Sequence, residues 1–177
     1  MKTLFTIQLL YCLGISLCSC QYISPYSLDD NPNIAIEDSL LGKWATVVKK
    51  FESEKEIPVK LIISRKTDLE YNIAITGDLD ELRPFYVVQA DTVRGTAFIS
   101  AIGDKQFLNI TIKRNVFIVE LKYKNNKLSL LPLVEHFTSK MIFNNTALRN
   151  SVEMHYKTRV HPMYDDDFCL KEMVRVN

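Results

Sequence analysis

Reactive side chains are densest near the C-terminus, where His155, His161, Asp165, Asp166, Asp167 and Cys169 share one short stretch. Imidazole, carboxylate and thiolate groups this close together are the ligand types of a divalent metal. A deprotonated cysteine beside a histidine base is also the core of a nucleophilic site. Their spacing, however, fits no known metal pattern. The Asp run reads more simply as a solvated turn before a strand, and Cys169 as a small wall residue of that strand. A second group, Asp78, Asp80 and Glu81, offers the paired carboxylates of acid–base chemistry. It sits where a surface turn is expected. The more specific signatures are missing from the chain: there is no HExxH, no Cys-x-x-Cys, no glycine-rich phosphate loop and no Gly-x-Ser-x-Gly elbow. No enzymatic activity, cofactor or metal is therefore expected. The 22 basic residues nearly cancel the 21 acidic ones, which removes the electrostatic footprint of a nucleic-acid binder.

The chemistry that the sequence does specify is at the other end. Lys2 is the only charge in the first twenty residues. An uncharged stretch from Thr3 to Leu17 follows, too short to span a bilayer, and then a segment of small residues. That layout is an export signal. Its last residues, Leu17-Cys18-Ser19-Cys20, resemble the lipobox of bacterial lipoproteins, with Leu three places before the invariant Cys and a small residue just before it. The resemblance implies cleavage after residue 19 and attachment of diacylglycerol to the Cys20 thiol, with fatty chains such as palmitate. Cys18 replaces the Ala, Ser, Thr or Val usual at its position. Two or more acyl chains would hold a soluble domain on a membrane stably. A competing reading is a eukaryotic secreted protein cut before Gln21. It draws on two glycosylation sequons, Asn109-Ile-Thr111 and Asn144-Asn145-Thr146.

On the lipoprotein reading, Cys12 and Cys18 leave with the signal and Cys20 carries lipid. Cys169 is then the one thiol left, and no internal disulfide is possible. Residues 20–39 read as the lipidated cysteine and a flexible acidic tether. Pro25 and Pro32 break any element, and Asp29, Asp30, Glu37 and Asp38 give the tether its charge. Acidic residues after the lipidated Cys resemble the surface-export signals of some Bacteroidetes lipoproteins, though here they begin nine residues on. By the enterobacterial sorting rule an Asp after the Cys retains a lipoprotein at the inner membrane. Gln21 in that place points to the outer membrane of the cell envelope.

From Leu40 to Asn177 the apolar pattern has period two, with one interruption. Strands are expected over Lys43–Phe51, Val59–Ile63, Tyr71–Ile75, Phe85–Val93, Thr96–Ile102, Phe107–Ile112, Phe117–Lys124, Leu128–Val134 and Lys140–Phe143. A final one follows over Phe168–Val176, with Phe168, Leu170, Val174 and Val176 on its inner face. The clearest alternation sets Phe117, Val119, Leu121 and Tyr123 against Glu120, Lys122 and Lys124. Gly103-Asp104 and Asn125-Asn126 are turn sequences between strands. The interruption is a helix from about Ala147, capped by Asn145 or Thr146, with Leu148, Val152 and Tyr156 along one stripe. Short strands at even spacing suggest a mainly β domain, a single antiparallel barrel of about eight to nine strands with one C-terminal helix and a last strand.

Gly42-Lys43-Trp44 resembles the Gly-x-Trp motif that opens the first strand of lipocalins, and the order of strands, helix and last strand is similar to the lipocalin layout. The resemblance implies that Trp44 closes one end of the barrel beside an arginine from a late strand, for which Arg175 is placed. It also implies a small apolar or amphipathic ligand in the barrel mouth, with Trp44, Tyr71, Phe117 and Tyr123 as candidate lining residues. The lipocalin disulfide and the mid-chain Thr-Asp-Tyr motif are absent. The alternative is a barrel filled by its own side chains, a structural or interaction module of the envelope that acts on partners through its loops.

Overall fold

Along Asn115–Lys124 every second side chain points the same way, and the inward set Phe117, Val119 and Leu121 is buried. The same period runs through the other strands, save for one bulge in the last, and the twisted sheet closes on itself with its apolar face inside. The computed structural model describes residues 22–49, 56–77, 92–159, 163–164 and 169–176. Cys20 and the signal, Asp78, Asp80 and Glu81, most of the strand expected over 85–93, and His161 with Asp165–Asp167 lie outside the described residues.

The described strands are β1 (Gly42–Lys49), β2 (Glu56–Arg65), β3 (Tyr71–Gly77), β4 (Thr92–Ile102), β5 (Lys105–Ile112), β6 (Asn115–Lys124), β7 (Lys127–Pro132) and β8 (Leu170–Val176). Each pairs antiparallel with the next, and β8 returns to β1 through Lys43–Val176, Trp44–Arg175 and Ala45–Val174, so the barrel closes in sequence order. Closure leaves the sheet without exposed edges. Asn125 and Asn126 both take positive φ, 54° and 58°, in the two-residue β6–β7 turn, which suits the right-handed strand twist.

One end of the barrel is plugged. A 3₁₀ turn at Asp38–Leu40 drives Leu40 into the interior, and Ile34, Ile36 and Leu41 pack beside it. The Ile36 N–H donates to the Asp68 carbonyl at 3.0 Å, and the Glu37 N–H donates to the Tyr71 hydroxyl at 2.7 Å. At the opposite end β6 follows β5 through a short turn, and the chain leaves β7 there.

A second apolar core lies outside the barrel. The helix α1 (Asn145–Thr158) presses Leu148 and Val152 onto the outward side chains Phe107 and Ile118, joined by Leu28, Val134, Phe137 and Met163. Strands β5 and β6 are thus buried on both faces along most of their length. The cap is Asn144, one residue before the expected positions, and its side chain accepts from the Ala147 N–H at 2.8 Å, so the helix starts two residues earlier than expected.

Three sequence expectations are corrected. Lys140–Phe143 is a loop leading into α1, not a strand; Ile142 packs on the outer core while Met141 and Phe143 stay exposed. In β8 the inner face is Leu170 and Met173, not Leu170 and Val174. Glu172 takes φ 49°, and the pairing with β7 slips between Leu128 and Leu130, a bulge that reverses the alternation and leaves Val174 half exposed. Finally, residues 22–40 are not a free spacer. They form a strap down the outer wall: Ser24 bridges to Val116, the Leu28 N–H donates to Asn109, and Asp29 binds the Arg149 guanidinium at 2.7 Å. Apolar burial of Leu28 and Leu40 holds the strap where prolines and charge alone suggest solvent.

Candidate functional site

Three of the four residues expected to line a ligand site, Trp44, Tyr71 and Tyr123, gather at the plugged end of the barrel, and Phe117 stands apart from them. Trp44 is fully buried at the plugged end. Its indole N–H donates to the Leu40 carbonyl at 2.9 Å, and the Arg175 guanidinium lies 4.8 Å over its ring while donating to the Ser39 carbonyl. Gly42 allows that approach, since a Cβ there would stand 3.3 Å from Arg175 Nη1. Tyr123 meets the same indole edge-on at 6.1 Å, and its hydroxyl donates to Asn126 at 3.1 Å, on the barrel rim. Tyr71 is buried at the same end, engaged by the strap. Phe117 belongs to the interior core and lies toward the opposite end. Among the described inward residues, Trp44, Leu61, Tyr71, Ile99, Leu128 and Met173 leave no surface to water.

The polar chemistry of the molecule is on the outer wall instead. Glu120 has the outward parity of a solvent-facing residue, yet it is only 2% exposed. The segment at Met163–Tyr164, bridged to Leu133, brings the Tyr164 hydroxyl onto Glu120 Oε2 in a short hydrogen bond. The Tyr156 hydroxyl, from α1, lies 3.0 Å from that of Tyr164. Tyr164 has one O–H and gives it to the carboxylate, so Tyr156 is the donor to Tyr164. Lys122 Nζ adds a cation 3.6 Å from Glu120 Oε1. A buried carboxylate is costly unless hydrogen-bonded and paired, and these groups supply both.

Burial pushes the Tyr156 hydroxyl up to about 12. Burial and the bond to Glu120 raise Tyr164 further still, and burial raises Tyr22 and Tyr71 as well. These tyrosines stay protonated at neutral pH, and Tyr156 and Tyr164 serve as donors. A general base or nucleophile needs the opposite shift. Stability follows with a definite sign. Above pH 10 the unfolded chain releases tyrosine protons that the folded chain retains, so stability is full below pH 10 and falls as pH rises toward 12. Urea midpoints measured from pH 8 to 11.5 should drop steeply past pH 10. Tyr156→Phe should be less stable at pH 8 and flatter in the alkaline range, and an equal slope in the variant would contradict the assignment.

Beside this cluster runs a groove of about 590 Å³ between the β4–β5 turn and the end of α1, lined by Asp104, Lys105, Glu153, Tyr156, Lys157 and Arg159. Two carboxylates and three cations line it, so opposite charges offset one another across most of its rim. Lys157 also complements the negative C-terminal end of the helix dipole. His155 packs its ring at 5.9 Å from that of Tyr156, and Cys169 is a buried thiol ahead of β8. Among the described residues, no three His, Cys, Asp or Glu side chains gather to hold an ion, and no helix is long and apolar enough to cross a membrane. Of the two sequons, Asn109 is fully buried. Its amide oxygen accepts from the Leu28 N–H at 2.7 Å and its nitrogen donates to Ser100 Oγ at 2.8 Å, so it has no room for a glycan in this fold.

Sequence pattern gave no reason to single out Glu120, Tyr156 and Tyr164 as a unit. The available signal is one carboxylate in an otherwise apolar run, Val116–Leu121. Comparison with known protein families, curated proteins and solved structures finds no match to this chain.

Proposed function

We propose that this chain is a lipid-anchored protein of the bacterial cell envelope, bound to the membrane through Cys20. Its barrel is a packed scaffold that meets partners through its outer surface, without enzymatic chemistry. The observation that carries the scaffold reading is the close packing of the described inward residues. A ligand-carrying barrel needs room beside its lining residues, and water reaches 0% of Trp44 and Tyr71 and 1% of Phe117. A small eight-stranded barrel is just narrow enough for side chains to fill it. The anchor reading rests on the signal layout and on Leu17-Cys18-Ser19-Cys20. Outer-membrane placement follows from Gln21 in the same way.

The test is a titration of a soluble form beginning at Gln21 with a fluorescent fatty-acid probe. The strap must be kept, because a form starting at Leu40 would lose Leu28 from the outer core. The scaffold reading expects no saturable uptake. One-to-one uptake that weakens on Phe117→Ala would restore the small apolar or amphipathic ligand as the function.

A further inference from the structure

Ile23, Met141 and Phe143 are 42%, 75% and 65% exposed. Single exposed apolar residues elsewhere on the surface are ordinary. These three differ because they lie on two segments held side by side. The Tyr22 ring meets Phe137 edge-on at 5.1 Å, and Asn145 Nδ2 donates to Ser27 Oγ at 3.1 Å, so residues 22–27 and 137–145 run together. Tyr22, Tyr26 and Ile142 turn into the outer core, which fixes both backbones and keeps Met141 and Phe143 pointing away from it. The strap also enters at a defined place. The Tyr22 N–H donates to the Leu133 carbonyl at 2.8 Å, and Ser24 pairs with Val116. Leu133 follows β7 and Val116 lies near the start of β6, so the strap enters at the end of the barrel opposite the plug.

We infer that Ile23, Met141 and Phe143 are the edge on which the barrel rests against the bilayer of its own anchor. The inference rests on lipidation at Cys20. Tyr22 is two residues from Cys20, and two residues of extended chain span at most about 7 Å. Because the strap is docked from Tyr22 onward, acyl chains on Cys20 leave this edge no freedom to stand away from the membrane. Apolar side chains dipping to the acyl boundary, with Lys140 beside them for anionic headgroups, are the composition of an interfacial contact. Tyr22, half-buried at the same place, suits the headgroup level. The plugged end, its hairpins and the groove by Tyr156 then face away from the membrane, where partners approach.

The chain supplies its own control, since Trp44 is its only tryptophan and is buried at the plugged end. Full-length acylated protein, wild type and Phe143→Trp, is reconstituted into phosphatidylethanolamine–phosphatidylglycerol vesicles with or without brominated acyl chains. Flotation reports anchoring, and bromine quenching reports contact with lipid. Both proteins should float. Wild-type emission should be unchanged by bromine, and most of the emission added by Phe143→Trp should be lost. Flotation without quenching of the added emission would overturn the bilayer edge and leave the anchor standing. Failure to float would overturn the anchor and the edge together.

Discussion

Trp44→Ala is expected to destabilise the domain by about 3–5 kcal/mol, the range for truncating a buried large aromatic. The side chain is fully buried at the seam where β1 pairs with β8, so its loss opens a cavity at the point of barrel closure. The Leu40 carbonyl loses its indole donor, and Arg175 loses the ring face beneath its guanidinium. Against a typical domain stability of about 5–15 kcal/mol, this is enough to unfold a large share of the molecules. Trp44→Phe keeps an aromatic face but not the N–H, and should fall between wild type and alanine. Because the substitution removes the only tryptophan, urea unfolding is best followed by circular dichroism. A loss below about 1 kcal/mol for Trp44→Ala would mean that the plug does not hold the barrel closed.

Gly95→Ala should be the other severe change, through the opposite mechanism. Gly95 faces the interior of β4, where a Cβ would collide with the Thr111 carbonyl of β5 and stand 3.0 Å from Ile112 Cγ1. The first obstacle is backbone, so no rotamer change relieves it and the β4–β5 ladder must part. Overpacking of this kind costs about 1–3 kcal/mol and occasionally more. Gly103 is the comparison: its φ is +62°, but an added Cβ meets nothing within 4 Å. Gly103→Asn should therefore be mild, since asparagine tolerates that backbone. Equal urea midpoints for Gly95→Ala and Gly103→Asn would show that interior crowding at β4 is not limiting.

The barrel was legible because its interior obeys a simple rule. One face of each strand is apolar, and Phe117, Val119 and Leu121 announce it. The second core was not, because Phe107, Asn109 and Glu120 have the parity that a one-sided barrel gives to solvent. What buries them is a strap whose prolines and aspartates mask Leu28, Ile34, Ile36 and Leu40, together with a helix joined late in the chain. The parity error in β8 has a backbone cause: nothing in the type of Glu172 signals a left-handed φ. Lys140–Phe143 imitates a strand because Ile142 is pinned while its neighbours are not, which is an alternation of burial without a ladder. The Glu120–Tyr164–Tyr156 chain depends on residues 36 and 44 positions from the carboxylate, a proximity that only the fold supplies.

The docked strap also changes what an anchor at Cys20 would mean. A free spacer would let the domain tumble above the membrane. A strap tied by Tyr22, Ser24, Leu28 and Asp29 would fix which end of the barrel such a lipid holds. Loss of Lys2 with a cleaved signal would leave 21 basic and 21 acidic residues, so no net charge would contribute to that orientation.

Anchoring of the barrel through a lipidated cysteine is read out by intact and N-terminal-peptide mass spectrometry of the full-length chain expressed in a Gram-negative bacterium. The mature protein should begin at Cys20 and carry diacylglyceryl with or without a third acyl chain, with Cys20→Ala leaving the signal uncleaved and the lipid absent. A mature chain that begins at Gln21 and carries no lipid would contradict that anchoring.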